Sequence, residues 1–373
     1  MRWITIAVTA AVFGSSIASA QRAGTLIAAD PVTSTPAGTQ AWQVRYWSSD
    51  ARGRPTQLTG MVIAPREAIP ARPRNVLAWT HGTSGIATRC APSLAPNFFE
   101  ATPAAEAFAR SGYVVVAPDY PGLGSAGVHP YLVGEDSARS VLDAVRAARD
   151  IAGAAAGSRF AVWGESQGGH AALWTAQRAR YAPDLTLVGA AAAAPPTALA
   201  DKLRSGSDPS VRAFLTAFTA YSWSRHYGAP LASLGNRSTQ GVITRLAQNN
   251  CISLTAKPKL GTMLGVLVLR RDLKNVDLGR IEPWASHARA NSVPARGFTT
   301  PLLIAQNRAD KIVAPDVTRA FVRRTCRAGT RVRFVPIAGK GHETSAKDSL
   351  TETLRWIDNR FADRPAPSDC GRV

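Results

Sequence analysis

Six short apolar runs recur along this chain with helical stretches between them, and that alternation limits the fold more than any other feature. The runs are Val76 to Thr80, Tyr113 to Ala117, Phe160 to Trp163, Leu187 to Ala194, Pro301 to Gln306 and Val332 to Ile337. Each is bounded by turn signals, the pattern of strands buried on both faces of a sheet. Helical stretches lie at Pro103 to Ser111, Ser137 to Ile151, His170 to Tyr181, Val317 to Arg327 and Ser345 to Phe361. In the second of these, Val141, Leu142, Val145 and Ala148 share one face. Strand and helix in alternation predict an α/β chain with a mostly parallel central sheet flanked by helices. Ahead of it, Gln40 to Ala64 alternates apolar and polar residues around a Gly-Arg-Pro turn, as an antiparallel hairpin does.

One region breaks the rhythm. From Pro195-Pro196 to Pro294 helical composition prevails, which divides the chain into a leader at 1–20, a first core part at 21–196, a helical lid or cap inserted at 197–294 and a second core part at 295–373. A chain of 373 residues that is 45% hydrophobic is ample for such a core. The leader reads as a secretory signal: Arg2, a largely apolar run from Ile4 to Ile17, then Ala18-Ser19-Ala20 as a cleavage site before Gln21. That run falls short of a bilayer span and no other segment is long and apolar enough, so the mature chain is expected outside the cytoplasm, extracellular or periplasmic, without a transmembrane segment. Cys90, Cys251, Cys326 and Cys370 suit an oxidising compartment and match no zinc spacing; three pairings stay open. The net charge of +19 is mostly arginine spread without a basic block or an aromatic-basic repeat. That distribution speaks against a nucleic-acid partner and is compatible with anionic surfaces.

The stretch "VWGESQGGHAALW", residues 162–174, sets Ser166 in a Gly-x-Ser-x-Gly between an expected strand and an expected helix. So sharp a turn requires glycines, because side chains flanking the serine would clash, and the helix start turns free amides toward it. This is the setting of a serine nucleophile. The hydroxyl needs a base, and the base a carboxylate that holds its tautomer. Four histidines follow Ser166. His170 lies in the helix after the turn and points away; His226 and His287 fall in the insertion; His342, in "AGKGHET" directly after the last strand, stands where such a base belongs. For the acid, Asp310 in "LLIAQNRADKIVAP" follows a buried strand, whereas Asp316, just after Pro315, is placed to cap the next helix. Asn307 stands in that loop where a glycine is common and tolerates left-handed backbone. The oxyanion of the tetrahedral intermediate needs two donors: the amide of Gln167 and that of Thr83 in "HGTSG", 81–85, whose hydroxyl is an extra donor. His81 in the same loop reads as structural. "DYPGLG", 119–124, lacks a P-loop or dinucleotide pattern and reads as a turn beside the site.

With the elbow, HGTSG, DYPGLG, Pro195-Pro196, Asp310 and His342 in that order, the chain resembles the secretory lipase family, the lipase A-like group of the α/β-hydrolase fold, over nearly all of its mature length. The resemblance implies a triad of Ser166, Asp310 and His342, a lid built from 197–294, and action on carboxylic esters with acylglycerols as the type substrate. It also implies two disulfides, Cys90 with Cys251 and Cys326 with Cys370. The first would tie the lid to the core; the second would close a loop of 44 residues (370 minus 326), worth about 4 kcal/mol in the chain-entropy model. Glu165 departs from related elbows, which often carry histidine or tyrosine; the departure bears on substrate preference, not on the triad.

The expected protein is therefore a secreted serine ester hydrolase, a lipase or carboxylesterase, that needs no metal or organic cofactor. Its partners are a small-molecule or lipid ester and, transiently, a lipid surface. The same triad serves serine peptidases and acyltransferases, and no feature of the sequence excludes these. A catalytically dead binding protein on this fold would have lost the serine, acid or histidine, and none is missing. Tyr221, Trp223 and Tyr227, with the apolar "GTMLGVLVL" at 261–269, are candidates either to line an acyl pocket or to pack the lid.

Overall fold

The strands form at β1 (Leu26–Val32), β2 (Thr39–Ser49), β3 (Pro55–Pro65), β4 (Arg74–Thr80), β5 (Val114–Pro118), β6 (Ala156–Glu165), β7 (Thr186–Ala193), β8 (Leu302–Asn307) and β9 (Val332–Ile337). They make one sheet in the order β1-β2-β3-β5-β4-β6-β7-β8-β9. Pairing is antiparallel from β1 through β3 to β5 and parallel across β5-β4-β6-β7-β8-β9. The computed structural model describes residues 22–201, 208–252, 259–339 and 341–373; the expected leader at 1–20 lies outside them. The hairpin forms as β2 and β3, in unbroken register from Thr39 opposite Pro65 to Ser49 opposite Pro55. Strand β1 extends the sheet beyond what its sequence signals: "LIAADPV" carries no clean alternation, and the strand is only half-buried at the sheet edge.

Five helices pack around the sheet: α1 (Pro103–Arg110), α2 (Gly134–Ala148), α3 (Gln167–Gln177), α8 (Pro315–Arg327) and α9 (Ser345–Phe361). Alternate residues of each parallel strand enter opposite cores, which is why both faces had to be apolar. Val76, Ala78, Val162, Ala190 and Ile304 pack beneath α2, α3 and α8 through Val141, Leu142, Leu173 and Phe321. Leu77, Trp79, Trp163, Ala191 and Leu303 pack on the other side against Phe108 of α1 and Trp356 and Ile357 of α9.

Between β7 and β8, helices α4 (Pro209–Tyr227), α5 (Arg237–Asn249), α6 (Leu260–Asp272) and α7 (Trp284–Asn291) enclose a third core of Phe218, Trp223, Ile243, Leu246, Leu269 and Trp284. Asp208 caps α4 through the amides of Ser210 and Val211, and Gly228 in left-handed conformation ends it. Several attachments hold this layer to the sheet domain, among them a disulfide and two sets of hydrogen bonds. The Cys90–Cys251 disulfide joins the loop after β4 to the segment after α5. Asn291 at the end of α7 accepts from Gly134 N at 3.1 Å and, through its carbonyl, from Trp174 Nε1 at 3.2 Å. Ser222 and Trp223 of α4 bond to residues 129 and 131. The second disulfide, Cys326–Cys370, fastens the C-terminal segment to α8. Among the described residues no helix is long and apolar enough to cross a membrane.

Candidate active site

The site lies at the carboxyl ends of the parallel strands, where open α/β sheets place their ligands. Strand β6 ends at Glu165, and Ser166 turns the chain into α3 with φ of 53° and ψ of −120°, a conformation costly for any residue with a Cβ. The turn is held by its neighbours: Ser166 N donates to Ala193 O at 2.9 Å, and Thr80 Oγ1 donates to Gly168 O at 2.8 Å. An added Cβ on Gly168 would press on the Thr80 carbonyl, and one on Gly164 would sit 2.5 Å from the backbone of Gly168. The two glycines let β4, β6 and α3 meet at a separation that no side chain permits.

His342 stands in the loop after β9 and reaches both partners. Its Nε2 is 2.8 Å from Ser166 Oγ, and its Nδ1 is 2.8 Å from Asp310 Oδ2. A carboxylate only accepts, so Nδ1 carries the proton and Nε2 faces the serine hydroxyl with its lone pair. Asp310 is fixed by the amides of Ile312 and Val313, both 2.8 Å from Oδ1, and by Gln306 Nε2 at 3.0 Å from Oδ2. Burial raises the Asp310 carboxyl, but the bond from His342 and these amides outweigh it and hold the group below its ordinary value, ionised. The first turn of α9, which closely follows His342, is fastened in turn by Glu165, whose Oε1 accepts from Ala346 N at 2.8 Å. Burial pushes the Glu165 carboxyl up to about 7, against that bond and helped by Glu343, Asp310 and Asp348.

The loop "HGTSG" runs against the elbow: a Cβ on Gly82 would be 4.0 Å from that of Ser166. It carries Thr83, whose Oγ1 is 2.9 Å from Tyr131 Oη. Gln167 opens α3, and its side-chain Nε2 donates to His129 Nε2 at 2.7 Å. His81 is buried, bonded through Nδ1 to Gly82 O, and rests on the Tyr120 ring; burial holds it down at about 4, so it stays neutral. The "DYPGLG" turn supports the same loop, Tyr120 Oη donating to His81 O at 3.0 Å.

The other histidines are engaged elsewhere. His170 Nε2 donates to Asn291 O at 2.7 Å, His226 pairs with Asp136, and His287 stacks on Tyr227. Two expectations are corrected. Asp316 is not a helix cap: α8 begins at Pro315, whose fixed φ suits the first helical position, and Asp316 falls inside the first turn. Asn307 is not left-handed: it is the last residue of β8, and its side-chain oxygen accepts from Ala309 N at 2.8 Å to shape the turn toward Asp310. Tyr221, Trp223 and Tyr227 lie in the helical layer with their polar atoms bonded to Gln248, Tyr131 and Asn291. Sequence reasoning missed Gln306, His129 and Tyr131. A polar residue closing the apolar run "LLIAQN" was the signal for Gln306; His-Pro-Tyr just after a glycine-rich turn was the signal for the other two.

The amino-acid sequence matches a known family profile. The profile of the secretory lipase family aligns with residues 103–232 and 287–369. The chain belongs to the secretory lipase family. It is accordingly a carboxylic ester hydrolase of the α/β-hydrolase fold. Lipase 10 of Candida albicans is 27% identical over 366 residues, covering 89% of this chain and 75% of the relative. Lipase 1 of the same yeast is 32% identical over 166 residues, covering 40% of this chain and 34% of its own. Among solved structures, Candida antarctica lipase A in its closed state superposes with a TM-score of 0.75 at 21% identity, over 96% of this chain and 86% of that one. The rice cell wall degrading esterase LipA of Xanthomonas oryzae superposes with 0.72 at 19% identity, over 91% and 97%.

Proposed function

We propose that this secretory lipase family member cleaves carboxylic esters through an acyl-enzyme on Ser166. The observation that carries the reading is the unbroken chain Ser166 Oγ, His342 Nε2, His342 Nδ1, Asp310 Oδ2, each contact 2.8 Å. His342 takes the hydroxyl proton as Oγ attacks the ester carbonyl carbon. The oxyanion so formed is held by the amides of Gln167 and Thr83. His342 then returns the proton to the departing alkoxide, and an acyl ester on Ser166 remains. A water molecule deprotonated by the same imidazole attacks that ester, and as the Ser166 ester bond breaks His342 gives the proton back to Oγ and the carboxylic acid leaves. Asp310 stays ionised throughout and stabilises the imidazolium.

The substrate class is an acyl ester drawn from a lipid phase. Leu260, Met263, Leu264 and Leu267, spaced at i, i+3, i+4 and i+7, share one face of α6 and are 68, 47, 54 and 55% exposed. So large a bare apolar face on a helix is a contact surface, and on the proposed lid at 197–294 it supports docking to lipid. Export supports the same reading: both disulfides suit an oxidising compartment, and the leader is removed near Ala20. The test is hydrolysis of nitrophenyl esters of increasing acyl length and of emulsified triacylglycerol, with Ser166→Ala as the blank. Turnover that persists on long chains and rises on the emulsion supports the lipid reading. Turnover confined to short soluble esters reassigns the helical layer as a fixed cap and the protein as a carboxylesterase. Residual full turnover in Ser166→Ala removes the mechanism.

A further inference from the structure

We propose that the segment His129-Pro130-Tyr131, clamped by Ser222 and Trp223 of α4, positions the oxyanion hole and turns the Thr83 hydroxyl into its third donor. The proposal rests on the acyl-enzyme reading above. Both donor-bearing residues touch this segment: Gln167 through His129 Nε2 at 2.7 Å, and Thr83 through Tyr131 Oη at 2.9 Å. The direction of the Gln167–His129 bond follows from elementary chemistry. His129 Nδ1 is 3.0 Å from the carbonyl of Pro121, which only accepts, so Nδ1 bears the proton and Nε2 receives one from the Gln167 amide. Burial holds His129 neutral, at about 3, against the bond to Pro121. The Tyr131 phenol is buried and pushed up to about 12, so it keeps its proton, and Thr83 Oγ1 is its partner. A buried O–H donates where an acceptor is in reach. In the proposed arrangement the phenol donates to Thr83 Oγ1, which leaves the threonine O–H to point toward the oxyanion. Thr83 is only half-buried, on the loop that lies against Ser166.

The clamp is made by α4. Ser222 Oγ donates to His129 O at 2.6 Å and accepts from Tyr131 N at 2.8 Å, while Trp223 Nε1 donates to Tyr131 O at 2.8 Å. His129, Ser222 and Trp223 have no exposed surface. Leu132, next in sequence, is held at φ of 58°, a conformation that persists only where the surroundings over-determine it. So α4 fixes the segment that touches Thr83 and Gln167. Tyr131 and His129 act through Thr83 and Gln167 and are positioning residues.

The experiment is a double-mutant cycle on nitrophenyl ester hydrolysis with Tyr131→Phe, Thr83→Val and the double variant, with thermal melting alongside. Tyr131→Phe is expected to lower kcat about tenfold or more with little change in KM, since a donor is needed only in the transition state. Thr83→Val is expected to lose at least as much, Thr83→Ser to recover most of that loss, and the double variant to be no worse than Thr83→Val alone. Ser222→Ala, which loosens the segment from the α4 side, is expected to lower kcat in the same way and gives a readout should Tyr131→Phe not fold. Wild-type kcat in Tyr131→Phe or Ser222→Ala, or losses from Tyr131→Phe and Thr83→Val that add in full, would overturn the proposal. Ser166→Ala keeps the two readings apart: turnover abolished there, with folded Tyr131→Phe at wild-type kcat, sinks the third donor and leaves the acyl-enzyme standing.

Discussion

Replacing Gly168 by alanine is expected to damage stability and catalysis together, while the same replacement at Gly241 improves stability and leaves catalysis alone. A Cβ on Gly168 would lie 2.5 Å from the carbonyl carbon of Thr80 and 2.7 Å from His81 O, where ordinary contact begins at 3.4 Å. The end of β4 and the first turn of α3 must then separate by at least about 0.9 Å, 3.4 minus 2.5. Neither side can yield cheaply, because both are backbone. Overpacking of this kind costs about 1–3 kcal/mol. The displaced turn carries Ser166 and Gln167, and misplacing reacting groups by about 1 Å costs on the order of 100-fold in rate. Gly241 sits within α5 with nothing within 4 Å of the added atom, so alanine there gains about 0.5–1 kcal/mol of helix propensity. Urea denaturation followed by circular dichroism, with kcat/KM on a nitrophenyl ester, reads both effects. A Gly168→Ala protein with wild-type kcat/KM and an unchanged midpoint would refute the reasoning about the elbow.

Three further outcomes are expected. Asp310→Asn keeps the acceptor for the Ile312 and Val313 amides but places the wrong proton against His342 Nδ1; kcat should fall by about 10³–10⁴-fold with the fold intact, and a loss below tenfold would remove Asp310 from the proposed triad. Glu165, with its midpoint raised from 4.5 to about 7, favours the folded state when protonated, so its contribution is full below pH 4.5 and is lost as pH rises through 7. Glu165→Gln keeps the acceptor for Ala346 and lacks that loss; its stability relative to wild type should improve by about 3 kcal/mol between pH 4 and pH 8, and a pH-independent difference counts against the burial argument. Replacing Cys326 and Cys370 together by serine opens a link of sequence separation 44 and should cost about 4 kcal/mol by chemical denaturation; an unchanged midpoint would mean the unfolded chain gains no freedom.

The sheet was legible because its parallel strands are buried on both faces: "VLAWT" and "LLIAQ" permit no solvated side, and the structure pairs them within one or two residues of the expected bounds. Strand β1 was not, since a half-exposed edge tolerates Asp30 and Pro31 and leaves no period to read. The meeting of Ser166, His342 and Asp310 in one hydrogen-bonded series was legible through chain order and through the glycines around the serine. The contacts of His129 and Tyr131 were not, because they join residues far apart in the chain: 38 residues separate His129 from Gln167, and 48 separate Thr83 from Tyr131. Asn307 was misread for a related reason. Its tolerance of left-handed backbone is a property of the residue alone, whereas the strand pairing of Asn307 with Ile337 fixes it as extended.

The most direct test of the account is labelling of the folded protein with a fluorophosphonate, followed by peptide mapping of the mass added. The expected result is one adduct, on the peptide that carries Ser166, absent from Ser166→Ala and slowed in His342→Ala. A folded wild-type protein that takes no label, or a label that survives Ser166→Ala, would contradict the claim that this serine is the nucleophile.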